Sequence, residues 1–319
     1  MTAASTAAIA DVLGGASAVT ILCHVRPDAD TIGSGLALGH ALKARGLDVE
    51  VAFPGPESLP HALRDLPGAQ GLLVDPPALK GHDVTVSVDA AGPDRLGELT
   101  PVFDGAVTSI VVDHHTSNRG FGDLDFVDPD ADCTAVLILR LIDQLGVPLT
   151  ADIATCLYAG LATDTGSFKW ARPDSFRVAA RLLDAGVDGR RWSRALFDTH
   201  PFSWLAMVSG VLASATLVPG VCSDGGLVYA VVDRDAMAGM SWEESESIID
   251  IVRTTADAEI AAVFKEIEPS SWTVSLRSKS SVDLVPIARA LGGGGHRHAS
   301  GYSDTGTAAE VVERLVGSL

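Results

Sequence analysis

The chain has 319 residues, 47% of them hydrophobic and 20% charged, and a formal net charge of −18. That length and composition predict a folded protein with room for two domains and exclude a largely disordered one. The acidity runs through both halves and excludes electrostatic wrapping of long duplex nucleic acid, which needs a basic face to neutralise phosphates.

In chain order, the N-terminus is rich in small residues and has no Lys or Arg before Arg26, so it lacks the charged region of a signal peptide. No run approaches membrane-spanning length, and a cytoplasmic protein without membrane contact is expected. β-branched runs at 18–24, 48–53, 83–89 and 109–115 read as strands. The segment "TIGSGLALGHALKARG" between the first two reads as a helix closed by Gly46. Nearly continuous apolar strands alternating with helices predict an α/β fold, a parallel sheet with helices on both faces. Helical patterns follow at 133–146, 151–166 and 175–186. The mixed stretch from 187 to about 205 is expected to connect the domains, with boundaries at 1–190, 191–205 for a linker helix, and 206–319. Beyond it, strands at 226–233, 259–267 and 272–278 interleave with helices near 242–252, 283–291 and 307–317. This predicts a smaller α+β domain ending in a glycine-rich loop, "LGGGGHRHASGY". The four cysteines, Cys23, Cys133, Cys156 and Cys222, form no C-x-x-C pair, which points to reduced thiols rather than disulfides or a thiolate zinc site.

Four segments place metal-type ligands at the ends of predicted elements: His24, Asp28 and Asp30 in "HVRPDAD"; Asp89 in "VSVDAAG"; Asp113, His114 and His115 in "VVDHHTSN"; and Asp164 in "GLATDTGSF". Taken singly, Asp89 or Asp164 reads equally as a helix cap or a turn residue. His40, His61, His82 and His200 have no such context and read as ordinary packed or surface residues. Asp-His-His differs, because three titratable residues directly follow the apolar run "SIVV" and need partners or a metal if buried. The chemistry suited to the whole set is two-metal hydrolysis, in which ions about 3.5–4 Å apart clamp a phosphoryl group and acidify a water. Oxygen and nitrogen donors favour Mn²⁺, with Mg²⁺, Co²⁺ or Fe²⁺ as alternatives.

"HVRPDADTIGS", "VD" at 88–89, "DHH" at 113–115 and "GLATDTGSF" resemble, in order, the four motifs of the DHH phosphoesterase superfamily. "SLRSK" at 275–279 and "GGGGHRHASG" at 292–301 resemble the arginine and glycine-histidine motifs of the DHHA1 domain. Length and two-domain plan resemble the group of bifunctional oligoribonucleases and 3′-phosphoadenosine 5′-phosphate (pAp) phosphatases, which also includes enzymes acting on cyclic di-AMP or pApA. The resemblance implies one metal on His24, Asp28 and Asp89 and another on Asp30, Asp89, His114 and Asp164, with Asp89 as the bridge. It implies that His115 faces the substrate phosphate as donor or proton carrier and that Asp113 orients its neighbours. Arg277, with Ser278 beside it, and Gly293, Gly294, Gly295 and His296 are implied to hold another phosphate. Ser300, where alanine is common, and His298, with no assigned role, depart from the pattern.

The expectation is therefore a Mn²⁺-dependent phosphodiesterase and phosphatase acting on short nucleotides such as pAp, pApA and nanoRNA. A dedicated cyclic di-AMP/pApA phosphodiesterase is the alternative. A non-catalytic nucleotide sensor stays open, although it predicts a missing ligand and none is missing. An inorganic pyrophosphatase and a RecJ-type exonuclease fit less well, the first lacking the "GGGGH" stretch and the second needing additional nucleic-acid-binding domains. A homodimer is expected, and the apolar helix "CTAVLILRLIDQLG" could serve either as its surface or in the core.

Overall fold

A computed structural model describes residues 4–56, 58–222, 225–280 and 282–319. The chain divides into two compact units, Met1–Thr199 and His200–Leu319. Among the described residues no helix is long and apolar enough to cross a membrane.

The first unit contains α1 (Thr6–Gly15), β1 (Ala18–Leu22), α2 (Ala29–Ala44), β2 (Asp48–Ala52), β3 (Val84–Val88), α3 (Thr100–Asp104), β4 (Thr108–Asp113) and β5 (Leu124–Val127). It continues through α4 (Thr134–Gln144), α5 (Ala151–Asp164), α6 (Pro173–Asp184) and α7 (Gly189–Phe197). The five strands form one parallel sheet in the order β2-β1-β3-β4-β5, with Ile21 opposite both Val51 and Val86 and Val86 opposite Ile110. The chain therefore lays β2 on one side of β1 and returns to place β3 on the other. Between β1 and β3 the crossovers diverge, and the carboxyl ends of those strands open a crevice where such sheets place ligands.

The two sheet faces are covered unequally. One carries the large core, with Leu13, Ile32, Leu36, Leu137, Ile138 and Leu157 among its buried residues. The other carries a small cluster around Leu96, Leu99 and Phe103, supplied by a 3-10 segment at Pro93–Leu99 and by α3. Helix α4, open at the level of sequence to being a dimer surface, buries Thr134 to Leu139, Leu141 and Ile142 in the large core, so its apolar face is consumed inside the unit. α1 and β5 carried no periodic signal strong enough to be expected. The linker expected as one helix is two, α7 and then α8 (Phe202–Ala213), one in each unit.

The second unit adds β6 (Thr216–Val218), β7 (Leu227–Val232), α9 (Ile248–Val252), β8 (Ile260–Glu268), β9 (Ser271–Ser278), α10 (Leu284–Ala290), β10 (Gly294–His296), β11 (Ala299–Thr305) and α11 (Ala308–Ser318). Its sheet has the order β10-β11-β9-β8-β7-β6, antiparallel except between β7 and β8. β8 lies between two apolar layers, sending Ile260, Ala262 and Phe264 to one and Ala261 and Val263 to the other, as a period of two requires. The glycine-rich stretch expected as a loop is a hairpin, with His296 paired to Ala299 and a two-residue turn at Arg297-His298.

α2 and α5 touch backbone to backbone. A Cβ at Gly33 would collide with the Cys156 carbonyl oxygen, and one at Gly160 would lie 2.5 Å from Asp30 Oδ1 and 2.9 Å from its Cα. Alanine in place of glycine gains roughly 1 kcal/mol of helix propensity, whereas overpacking a tight core costs about 1–3 kcal/mol, so the steric cost wins. Gly160→Ala should therefore lower the midpoint of denaturant unfolding, and it should weaken divalent-metal binding by displacing Asp30. A raised midpoint would show that the helices can separate freely.

Candidate metal centre

β1 ends at Leu22, and Cys23 and His24 continue buried into the crevice, the Cys23 amide donating to the Ala52 carbonyl at 2.8 Å. Arg26 turns the chain through a left-handed conformation (φ 52°) into α2. Asp28 caps that helix, its Oδ1 accepting from the Asp30 and Thr31 amides at 3.0 Å each, while its Oδ2 faces His24 Nε2 at 3.4 Å. Asp30, in the first turn and fully buried, meets the N-terminus of α4, accepting from the Thr134 amide at 2.7 Å and the Ala135 amide at 2.9 Å. The short spacing of "DAD" thus has a local cause. One carboxylate caps the helix and the other points into the protein from its first turn.

Asp89 follows β3 in a left-handed conformation (φ 62°), which aspartate tolerates better than most residues. Its Oδ2 lies 3.4 Å from His24 Nε2 and its Oδ1 3.6 Å from His114 Nε2, and Oδ1 also accepts from the Thr134 hydroxyl at 2.8 Å. His114 Nε2 is also 3.3 Å from Asp164 Oδ2 at the end of α5. His115 points its Nδ1 at Asp113 Oδ1, 2.7 Å away, and the Asn118 amide donates to Asp113 Oδ2 at 2.7 Å. Within the first unit, among its described residues, three groups have ligand atoms mutually within 4.8 Å: His24, Asp28 and Asp89; Asp30, Asp89 and His114; and Asp89, Asp113 and His115. Asp89 is common to all three.

The charges of this cluster do not balance by themselves. Burial and the neighbouring charges of Asp89 and Asp164 push the Asp30 carboxyl well above the usual carboxylate range. Burial opposes a charge on His24, yet the carboxylate of Asp28 and hydrogen bonds to Asp28 and Asp89 carry it up to about 9. Against the same burial, the hydrogen bond and charge of Asp164, then Asp89 and Asp30, carry His114 up to about 10. In the metal-free protein, protons stand where cations are called for.

The donor set fits divalent metal ions. The contacts of 3.3–3.6 Å between Nε2 and carboxylate oxygen are long for hydrogen bonds. Donors bound side by side to one cation at about 2.1 Å stand roughly 3.0–3.4 Å apart, close to what is seen. His24 Nδ1 lies 2.7 Å from the Val25 carbonyl oxygen, the contact that turns Nε2 toward the cluster when Nδ1 carries the proton. The nearby thiols Cys23 and Cys133 are pushed up by burial and stay protonated, which leaves oxygen and nitrogen as the donors.

Three residues at the cluster carry no signal that sequence reasoning used. Arg95, six residues beyond Asp89, brings Nη2 to 3.2 Å from His24 Nδ1. Thr134 reads as a helix start, yet its amide and hydroxyl serve Asp30 and Asp89. Asn118 lies in the quoted "DHHTSN" and braces Asp113.

In the second unit Arg277 lies opposite Ala299, and Ala299 opposite His296, so the three side chains share one row and one face of the sheet. The Ser278 hydroxyl donates to the Val282 carbonyl at 2.8 Å and lies 2.9 Å from His298 Nδ1, which ties the hairpin turn to β9 and gives His298 a place. Gly293 and Gly295 have packing reasons of their own. A Cβ on Gly293 would lie 2.5 Å from that of Tyr302, and one on Gly295 (φ 133°) 2.6 Å from the Ala299 carbonyl oxygen. Gly294 is paired with Gly301 in the same hairpin.

Comparison with known proteins places this geometry among relatives. The DHH family, N-terminal domain, matches residues 18–161, and the DHHA1 domain matches residues 224–317. The bifunctional oligoribonuclease and PAP phosphatase NrnA of Thermus thermophilus is 37% identical over 286 residues, covering 89% of this chain and 83% of the relative. The Bacillus subtilis protein of the same name is 25% identical over 288 residues, covering 88% and 87%. An exopolyphosphatase-related protein from Bacteroides fragilis shares the fold with a TM-score of 0.84 at 24% identity, over 98% of this chain and 94% of that one. Two domain matches in this order and a 37% identical relative aligned along most of both chains establish that the chain belongs to the DHH family, with a DHHA1 domain after its N-terminal domain.

Proposed function

We propose that the protein is a divalent-metal-dependent phosphoesterase that hydrolyses short oligoribonucleotides and dinucleotides such as pApA to mononucleotides and removes the 3′-phosphate of pAp. The observation that carries this reading is Asp89, whose two oxygens face one imidazole each, His24 and His114. Relatives named for oligoribonuclease and PAP phosphatase activity support the choice of substrate.

His24, Asp28 and Asp89 would hold one ion and Asp30, Asp89, His114 and Asp164 the other, with Mn²⁺ preferred and Mg²⁺ or Co²⁺ as alternatives. Bound there, two such ions supply an acidified water and neutralise charge on the phosphoryl oxygens. The chain's own residues do the rest. The N-terminus of α4 and the Thr134 hydroxyl hold Asp30 and Asp89 in place, so neither reorganises as charge moves. Asp113, itself held by Asn118, fixes the His115 ring through Nδ1 and leaves Nε2 to donate to a phosphate oxygen or pass a proton to the leaving oxygen. In the second unit, Arg277 and His296 on either side of Ala299 would take a further phosphate of the substrate. The net charge of −18 favours short substrates, because a long polyanion gains nothing from an acidic surface.

Ranking kcat/KM with Mn²⁺ for pAp, pApA, cyclic di-AMP and single-stranded RNAs of increasing length tests this function. Dinucleotides and pAp should lead. Degradation of long strands as readily as dinucleotides would sink the reading, and a clear lead for cyclic di-AMP would make the enzyme a dedicated second-messenger phosphodiesterase.

Two substitutions separate the roles inside the site. Asp89→Asn should abolish turnover and lower bound metal together. His115→Ala should keep its metal, measured by elemental analysis, yet lose about 10²–10⁴ in kcat. Loss of metal in His115→Ala would make that residue a ligand rather than a proton carrier.

A pH series tests the electrostatics. His24 and His114 hold protons up to about 9 and about 10, and a cation must displace them. Metal affinity should therefore tighten as pH rises from 7 to 9, by up to about tenfold per pH unit for each displaced proton. The metal-free protein should show the opposite trend. A raised imidazole stabilises the fold fully below its unfolded value of about 6.5, and that contribution is lost as pH climbs through the folded values. Calorimetric titration and thermal melts of the stripped protein read both, and a flat metal affinity from pH 7 to 9 contradicts the assignment.

A further inference from the structure

Beyond the metal cluster, the segment after Asp164 has features that metal binding does not use. Gly166, Ser167 and Phe168 adopt left-handed backbone in succession (φ 55°, 57° and 66°), a run that L residues disfavour. The turn is internally fastened: Ser167 donates to the Ala162 carbonyl at 2.7 Å, Phe168 to the Thr165 hydroxyl at 3.2 Å, and Trp170 to the Thr165 carbonyl at 3.4 Å. Its far end is held by Asp132, which accepts from the Arg172 amide at 2.7 Å and faces Arg172 Nε at 3.2 Å.

This turn sends its two aromatic residues to different places. Phe168 packs between Tyr158 and Phe176, with ring centroids 6.1 and 5.7 Å away. Trp170 is 45% exposed, yet fixed: its indole N–H donates to the Asp164 carbonyl at 2.8 Å and its six-membered ring lies over Gly166, where any Cβ would collide with it. The residue that anchors the indole is the one whose carboxylate lies 3.3 Å from His114 Nε2. A rigid aromatic surface is thus held at the edge of the metal cluster, with its one polar atom already engaged and half its area uncovered.

We propose that the indole of Trp170 is a stacking platform for a nucleobase of the substrate. The proposal rests on the reading that the protein handles nucleotides and adds how it would recognise the base. Because the N–H is spent on Asp164, recognition is by the π surface alone. It therefore tolerates any base and favours purines over pyrimidines by their larger area. The strained turn then has a purpose, since it presents the ring beside the reacting phosphate without letting it fold into the core with Phe168.

The test compares AMP with ribose 5-phosphate, which carries the same phosphate and sugar but no base. Equilibrium binding to the Mn²⁺-loaded full chain is measured by calorimetry for the parent, Trp170→Phe and Trp170→Ala. The parent should prefer AMP by about tenfold or more, Trp170→Phe should keep most of that preference, and Trp170→Ala should bring the ratio near one. A parent without the preference, or Trp170→Ala retaining it, overturns the proposal. Hydrolysis of dinucleotides by a parent whose AMP preference survives in Trp170→Ala removes the stacking role and leaves the phosphoesterase reading intact. A preference lost in Trp170→Ala from a protein that cuts no dinucleotide does the reverse.

Discussion

Several carboxylates crowded into a poorly hydrated crevice are the constraint to which the N-terminal unit answers. Two unit charges 4 Å apart interact by about 4 kcal/mol at an effective dielectric of 20, so Asp30, Asp89 and Asp164 cannot all be ionised together without compensation. The fold supplies it from several directions. The N-terminus of α4 is aimed at Asp30, the imidazoles of His24 and His114 hold their protons well past neutrality, and Arg95 sits behind His24. Each is a partial substitute for positive charge that the side chains do not carry in sufficient amount, which is why the cluster is suited to divalent cations.

Sheet topology converts that requirement into a place. Only where β1 and β3 run side by side and their crossovers diverge can residues leaving both strands meet without a helix between them, and His24 and Asp89 are those residues. The helix pair beneath the site adds the depth. Gly33 and Gly160 let α2 and α5 approach to backbone contact, which brings Asp30 from one helix and Asp164 from the end of the other to the same imidazole. Glycines inside helices cost stability, and here that cost purchases the approach of two carboxylates.

The second unit shows how a motif can answer to folding and to chemistry at once. Gly293 and Gly295 are required by the hairpin they form, before any ligand is considered. The same hairpin sets His296 two strands from Arg277 with only Ala299 between them, a spacing that a flexible loop would not maintain. A run of glycines followed by histidine therefore reads as a loop in sequence and behaves as a short strand in the fold, because antiparallel pairing to β11 satisfies backbone groups that glycine leaves uncovered.

Much of the first unit was legible because its signals are local. Apolar runs ending in polar residues marked β1 through β4, and the titratable residues after them were visible by type and spacing. β10 and β11 were not legible, since glycine and serine carry little strand propensity and only pairing with β9 decides their conformation. Arg95 and Thr134 escaped for the same kind of reason: neither belongs to one of the ligand motifs, and only the crossing of Pro93–Leu99 and α4 over the sheet ends brings them to His24 and Asp89. Helix α4 was ambiguous, because an apolar stripe has the same periodicity whether it faces a core or a partner. The sequence by itself determined which residues could ligate and which elements would carry them, as residue type and periodicity are local properties. The tertiary structure alone decided that Asp89 faces both imidazoles, that α4 points its N-terminus at Asp30, and that Trp170 stays at the surface while Phe168 turns inward, because each depends on contacts between segments distant in the chain or on a turn held by them.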